Sequence, residues 1–482
     1  MRLQIVVLVM LCACLNTSVN GQGSADAARY FDQNIFGNGF TFNSAGSMSL
    51  HGMDYSSVIY NPATSALAKK SSAGFAMNGV FGRSKSDYLS NTTVRSESEF
   101  NLSTINTVFK IPTSQGSLVF SAGYVQSADF SDNYMADGKN LTNSISDFLA
   151  KAANADIRFA AYNGYAVDSV RNGTSDLQSI LRFSNFNGIN QFVQQNQTGR
   201  MGEFIINGAT EFQKNFFIGF TVGIPVGTYS YEKIFLEEDL NNDYSAFQLD
   251  VSSILVTENV RAEMTGIYAK LGLLYKATDF LNLGLSYQSS YDLEVNENYS
   301  YRVFTTYDDG FTPSDEFPFR LEGDFTYRIE NPAILQAGVS VVDLHGLDLG
   351  LTVEYRNYNG IRFSLPTDYV SEEIGLNRDI QNEFKDVLNV SAGVGYRFGN
   401  IKTQAGVAYL PDYRTDSNTN RYIINVGSVI DLSDRFEFNL GLSYRGITGN
   451  QFLYSTADYG DNPTFENKQQ WFTSQVGIKL KF

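Results

Sequence analysis

The sequence predicts an all-β fold: a transmembrane antiparallel β-barrel of fourteen strands, with an N-terminal plug inside the lumen. Three observations predict it. Segments that alternate apolar and polar residues recur along the chain, their connections alternate between short and long, and a stretch of about fifty residues without that alternation precedes the first of them.

The chain begins with Met1–Leu15, which carries Arg2 and then the apolar run Ile5–Leu15, followed by Val19-Asn20-Gly21. A charged start, a short apolar core and small or neutral residues at its end are the marks of a secretory signal peptide, here residues 1–21. Cleavage after Gly21 would remove both cysteines, Cys12 and Cys14, so the mature chain is expected to have no disulfide or thiol chemistry. The alternative is a lipoprotein signal, with Leu11-Cys12-Ala13-Cys14 as its lipobox. Beyond this segment no apolar run approaches the ~20 residues a helix needs to span lipid. The longest, Phe216–Val226, is broken by Gly, Thr and Pro.

Residues 22–72 lack strand alternation and read as the plug; residues 73–482 read as the barrel. The last segment shows the strand pattern clearly. Phe472, Val476, Ile478, Leu480 and Phe482 fall on one face, and Thr473, Gln475, Gly477, Lys479 and Lys481 on the other. Successive side chains of a strand point to opposite faces, so such a segment has one apolar and one wet side. The same pattern centres near Met77, Thr104, Ala122, Ala209, Gly223, Leu271, Leu285, Gly338, Leu351, Ala392, Val407, Val426 and Leu440, making fourteen with Val476. The count is even, as single-chain bacterial barrels require. Short connections are expected near Ser114, Gln213, Thr278, His345, Gly399 and Ser433. Long ones are expected near Lys85, Ala153, Asn241, Asp308, Val370, Asp416 and Tyr459. Short periplasmic turns opposite long extracellular loops are the outer-membrane arrangement.

A soluble sandwich would also alternate. Lipid is favoured by tyrosines near strand ends (Tyr124, Tyr275, Tyr287, Tyr355, Tyr396, Tyr409 and Tyr444), by a polar face rich in Gly, Ser, Asn and Lys that suits a wet lumen, and by the terminal Phe482. The formal net charge of −16 with no basic stripe argues against nucleic acid.

Within the plug segment, Gly46, Met48, Gly52, Asp54, Ser56, Asn61, Pro62 and Ala63 stand in the order of a small-residue run, an acidic-x-Ser step and Asn-Pro-Ala. This order resembles the N-terminal hatch of FadL-type outer-membrane transporters, in particular the branch from Bacteroidetes-like bacteria. The resemblance spans hatch, strands and final Phe. Thr64 stands where the family often has Gly, and His51 where Gly or Ala is expected. The resemblance implies passive uptake of small hydrophobic molecules, long-chain fatty acid-like or aromatic, across the bacterial outer membrane. Capture would occur at extracellular loops and release laterally, through a gap beside a kinked strand. Such a monomer would meet its apolar ligand and outer-membrane lipid, and would need no cofactor. A structural turn is the favoured role for Asn61-Pro62-Ala63, since Pro restricts φ and Asn suits turns.

Ser127–Arg200 is the longest expected loop. Ile145, Phe148, Leu149 and Ala152 have helical spacing, as do Leu177, Ile180 and Leu181, with Asn143/Ser144 and Ser175/Asp176 as caps. Such helices pack on each other or on the barrel mouth. In the functional reading, Phe148, Leu149, Leu181 and Phe183 form an apolar capture groove. Asp239, Asn241 and Asp243 begin like a calcium loop, but Tyr244 and Asp250 occupy positions that call for Gly and Glu, so a solvated acidic loop is expected and no metal. The two histidines, His51 and His345, have no partner at metal-ligand spacing, and no catalytic residues are assigned. Lys270, Asp348, Glu354, Arg397, Lys402 and Glu437 read as salt-bridged lumen filler rather than ion-selective rings. A barrel serving as a secretion-associated scaffold, and a general diffusion porin, are the alternative functions.

Overall fold

The structure is a computed structural model. It describes residues 24–482 apart from 33, 35, 36, 53, 153, 171–176, 184, 185, 245–249, 313–320, 418 and 455–461. The expected signal segment with its cysteines, and the expected cap at Ser175/Asp176, lie outside the described residues.

Among the described residues the wall consists of fourteen antiparallel staves. In chain order these begin with β1 (Ser72–Tyr88), β2 (Asn91–Ile111), and β3 (Leu118–Asp129) prolonged by β4 (Tyr134–Asn140). A small ribbon of β5 (Val167–Ser169) and β6 (Leu177–Ser179) lies in the next connection. Then come β7 (Ile189–Gln213), β8 (Phe216–Glu238), β9 (Val251–Gly266) with β10 (Tyr268–Lys276), and β11 (Leu281–Gln288) with β12 (Tyr291–Tyr307). The rest are β13 (Leu321–Asn331) with β14 (Ile334–Leu344), β15 (Leu347–Arg356) with β16 (Arg362–Ser364), β17 (Val387–Phe398), β18 (Ile401–Leu410), β19 (Arg421–Asp431), β20 (Phe436–Phe452) and β21 (Thr464–Lys481). All fourteen expected centres fall on these staves. The ring closes where β21 pairs with β1 from Lys481↔Ser72 to Glu466↔Asp87, so no sheet edge is left along that seam, as a lipid-spanning sheet requires.

Large apolar side chains point outward around the whole perimeter. Ile105, Ile206, Leu271, Leu388, Ile424, Leu442 and Phe482 are all more than half exposed. A soluble protein buries such residues; here the exposed band is the surface that meets lipid.

The polarity inverts higher up the wall. Three adjacent staves break at Ile267, Ser289–Ser290 and Pro332–Ala333. Below the break Leu285 and Leu335 face outward. Above it the outward residues of β13 are Glu322, Asp324, Thr326, Arg328 and Glu330, while Tyr327 and Ile329 are buried. Pro332 has no N–H to give the ladder, which accounts for the interruption there. The wall above these breaks therefore has water outside and apolar groups inside.

That inversion corrects several expected loops. The connection near Lys85 is not a long loop: β1 and β2 continue as a hairpin closed by Leu89 and Ser90, both at positive φ (44° and 72°), the backbone of a two-residue hairpin turn. Much of the connections near Asn241 and Asp308 is likewise strand. In Ser127–Arg200, β4 and the first part of β7 are strand, followed or preceded by helices α3 and α4 of the set α1 (Ser24–Phe31), α2 (Gly39–Asn43), α3 (Ile145–Lys151), α4 (Ala155–Asn163) and α5 (Val370–Glu383). Ser144 caps α3 in a full capping box with Asp147. The second expected helix is absent: Leu177–Ser179 is strand and Ile180–Arg182 a single 3-10 turn. Three apolar residues within five positions fit either form, and pairing with Val167–Ser169 decides for strand.

Candidate functional site

The plug is built from α1, α2 and three 3-10 turns that end at Leu67. Asp54 caps the middle turn and accepts hydrogen bonds from the Thr41 amide at 2.7 Å and hydroxyl at 2.8 Å. Burial pushes its carboxyl up to about 6, although the Thr41 bonds pull the other way. Ser56 is fully buried and joins Asn38 through both side chain and backbone. Asn61 caps the last turn by accepting from the Ala63 amide at 2.9 Å, with Pro62 in its first turn. Its amide also donates to the wall, to Leu273 O at 2.9 Å and Leu285 O at 3.3 Å. Met48 is buried against Phe40 and Val429. Gly46 and Gly52 take φ of 77° and 62°, which side chains rarely adopt. Thr64 donates to Asn61 O at 2.7 Å, and His51 lies 3.3 Å from Asp348, so both departures from the family pattern have local partners.

The plug backbone lies directly on the wall. Lumen-facing glycines form cross-strand pairs: Gly219↔Gly272, Gly284↔Gly338, Gly350↔Gly393, Gly393↔Gly406 and Gly427↔Gly441. A Cβ on Gly219 would stand 2.5 Å from the Ala63 nitrogen, one on Gly272 2.7 Å from Pro62 Cδ, and one on Gly406 2.8 Å from Ser44 Cα. The glycines read as lining a wet lumen are instead a seat for the plug. The lumen charges pair around it. Lys402 bridges Asp348 at 2.6 Å, Glu354 holds Arg356, Glu437 meets Lys481 at 2.7 Å, and Lys270 donates to Ile59 O.

Above the belt, α1 is tied at its C-terminal end. Arg356 donates to Phe31 O and Arg421 pairs with Asp32. Burial raises the Asp32 carboxyl, but the Arg421 guanidinium outweighs it and holds the group below the usual carboxylate range. Asn34 then runs beside β3: it donates to Asp129 O at 2.8 Å and accepts from Asp129 N at 2.9 Å.

The wall opens at that place. β2 and β3 pair only from Ile111↔Leu118 to Thr104↔Val125. Above Thr104, β2 continues against β1, whereas β3 breaks after Asp129 and resumes as β4 against β7. Side chains bridge the gap: Asn133 donates to Glu97, and Arg200 to Asn101. The third stave is the kinked one.

Two adjoining cavities lie in the upper lumen. The larger, about 440 Å³, is bounded by Asp26, Arg29, Tyr30, Asp132, Tyr229, Tyr231, Glu258, Glu297, Tyr299 and Tyr301, among others. Asp132 places one side of it in the β3–β4 break. The smaller, about 180 Å³, shares Glu258 and Tyr301 with it and is otherwise lined by Ile145, Phe148, Phe235, Val256, Leu453, Tyr454 and Lys233. Of the expected capture residues, Phe148 lines this cavity. Leu149 and Leu181 are buried in the packing beneath α3, and Phe183 is 43% exposed. The hatch residues lie below the cavities as the plug. The tyrosines and carboxylates of the larger cavity were not singled out from sequence. They come from α1, from the β3–β4 break and from the neighbouring staves of β8, β9 and β12, and the signal for them is the row of polar residues on the opposite, outward face of β12 and β13.

The molecule is thus a plugged fourteen-stranded transmembrane barrel with a gap in its wall beside the third stave. No protein-family model matches the sequence, and none of the curated proteins does. Solved structures similar in fold are the toluene transporter TodX of Pseudomonas putida, at 14% identity with 93% of this chain and 99% of that chain covered and a TM-score of 0.55; a FadL homologue of Pseudomonas aeruginosa, at 13%, 93%, 99% and 0.56; and the toluene transporter TbuX of Ralstonia pickettii, at 12%, 93%, 99% and 0.50. What is shared at this identity is the fold.

Proposed function

We propose that this chain is a FadL-type channel of the bacterial outer membrane, exported with loss of residues 1–21, that takes up small hydrophobic molecules passively. A ligand enters the upper cavities under α3, where Phe148 contributes to capture, and leaves sideways between β2 and β3 into lipid. The observation that carries this reading is a cavity that reaches the kinked stave at Asp132 while a close-packed plug fills the lumen below. An apolar solute passing down a polar lumen would give up its hydrophobic gain, whereas a side exit delivers it to hydrocarbon. The toluene transporters among the fold neighbours are consistent with such a cargo. A diffusion porin would need an open aqueous path, which the seated plug disfavours.

The test is uptake by proteoliposomes. Toluene and a long-chain fatty acid should enter faster than in empty liposomes, while sugars cause no swelling. Glu97→Cys with Asn133→Cys, at residues already in contact across the gap, should block toluene entry when oxidised and restore it on reduction. Sugar swelling without hydrocarbon uptake would refute the channel reading, and uptake indifferent to the cross-link would refute the lateral exit.

A further inference from the structure

We infer that the outside of the wall carries a binding site for a phosphate-bearing lipid, at the upper end of the lipid-facing band where β19, β20, β21 and β1 stand side by side. The inference goes beyond the channel reading: it rests on the barrel spanning lipid, not on what passes through it.

The apolar band fixes the height. On β21 the outward residues Phe482, Leu480, Ile478, Val476 and Phe472 are all exposed. At ~3.4 Å per residue and a tilt of about 35–45°, the strand rises about 24–28 Å from Phe482 to Phe472, the height of a hydrocarbon band. Phe472 stands opposite Phe81 of β1, and its ring centre lies 5.0 Å from that of Tyr444 on β20. Rings in such a row mark the level where hydrocarbon gives way to head groups. The next outward rows are cationic: Arg83 opposite Gln470, then Lys85 opposite Lys468. Acidic side chains follow one row further out, with Asp87 opposite Glu466. Basic side chains immediately outside a membrane-spanning segment stand at the level of lipid phosphates, and here the acids lie beyond that level.

These cations lack protein counter-charges. Asp87 is taken by Lys85 at 2.6 Å. Among the described residues the side chains of Arg83 and Lys468 have neither an ion pair nor a hydrogen bond. Elsewhere on the raised wall an outward cation has its partner: Arg328 meets Glu294 at 3.2 Å. Like charges directly opposite each other destabilise a strand pair, and an anion between Lys85 and Lys468 would remove that cost. A groove for the rest of the lipid adjoins Lys468. β19 pairs with β20 only as far as Tyr422↔Gly446, whereas β20 runs on to Phe452 against β21. At this step lies a groove of about 480 Å³, bounded by Tyr422, Ile424, Tyr444, Thr448, Lys468 and Gln470. Tyr422 and Ile424 are more than half exposed and form an apolar bed for an acyl chain. Gln470 donates to the Tyr444 hydroxyl at 3.1 Å, so that hydroxyl keeps its own proton for an acceptor. A phosphate monoester there would meet two uncompensated cations and a hydroxyl donor. A quaternary ammonium head would meet like charge.

The experiment uses the full barrel in detergent micelles and two probes: diphosphorylated lipid A, and the same glycolipid stripped of its phosphates. Native mass spectrometry counts the lipid retained. The phosphorylated form should be retained about tenfold more often, since each basic residue near a head group contributes a few-fold. Arg83→Gln combined with Lys468→Gln should bring that ratio close to one, and Arg328→Gln should leave it unchanged. Heat-modifiable gel migration checks that each variant is folded. Millimolar inorganic phosphate, which has no chain to lay in the groove, should not displace the lipid. Equal retention of the two glycolipids, a preference that survives in the folded double variant, an equal loss in Arg328→Gln, or displacement by inorganic phosphate each overturns the inference.

Discussion

Replacing Gly406 by alanine sets two physical effects against each other. In an isolated strand, glycine to alanine stabilises by about 0.5–1 kcal/mol because the unfolded chain loses freedom. At Gly406 the added carbon would lie 2.8 Å from Ser44 Cα and closer still to the Ser44 carbonyl. Contact between two such carbons needs roughly 3.5–4 Å, so this part of the plug must retreat by about 1 Å. Its neighbours resist that. Asn43 donates to Gln404 at 3.0 Å and Asn425 to Phe42 O at 2.6 Å, bonds worth about 1 kcal/mol each. Overpacking of this kind costs about 1–3 kcal/mol, so the net effect should be destabilising, opposite in sign to the isolated strand. Gly449→Ala on β20, where nothing lies within 4 Å of the added carbon, is the control. The assay is the temperature at which the folded gel band converts to the unfolded one, with planar-bilayer conductance reporting leakage past the plug. Equal melting temperatures and equal conductance for the two variants would refute the seating of plug backbone on the glycine belt.

Other outcomes follow from the same contacts. Asn61→Ala removes an N-cap and two wall hydrogen bonds, and should cost about 1–3 kcal/mol in the same gel assay. The seated plug raises the Asp54 carboxyl from 3.8 to about 6, so it binds that proton more tightly than a released plug does. Seating should be firmest below about pH 4 and weaken as pH rises through 4 to 6, a slope that Asp54→Asn should abolish in melts at stepped pH. Leu351→Arg, on the lipid face of β15, should cost about 2–4 kcal/mol. Thr326→Arg, outward on β13 above the Pro332 break, should change stability by less than about 0.5 kcal/mol; equal losses would mean that the wall's polarity does not invert there.

The staves were readable because a half-buried strand repeats every two residues whatever lies around it. Their upper reach was not. Glu322, Asp324, Thr326, Arg328 and Glu330 also alternate, but with the polar set outward, and a search for lipid-facing rows passes over them. Leu177–Leu181 carried too few residues for its period to tell strand from helix. Gly406 and its companions were visible as small residues on the inner face, yet the same pattern suits an open pore and a seated plug; only the position of Ser44 distinguishes them. The cavity is harder still. Tyr30, Tyr229, Glu258 and Tyr301 become neighbours only when α1 docks against the inner face of β8, β9 and β12, and the outward polar rows of β12 and β13 mark them only indirectly.

The seam between β21 and β1 has a bearing on biogenesis. The plug precedes every stave in the sequence and β21 follows the others, and between them lie the nine strands on which the paired glycines sit. A cylinder completed first would have to admit a folded segment through an interior already matched to its contours. Docking before the seam zips avoids that passage, and the seated segment then serves as a mandrel around which the remaining hairpins curl.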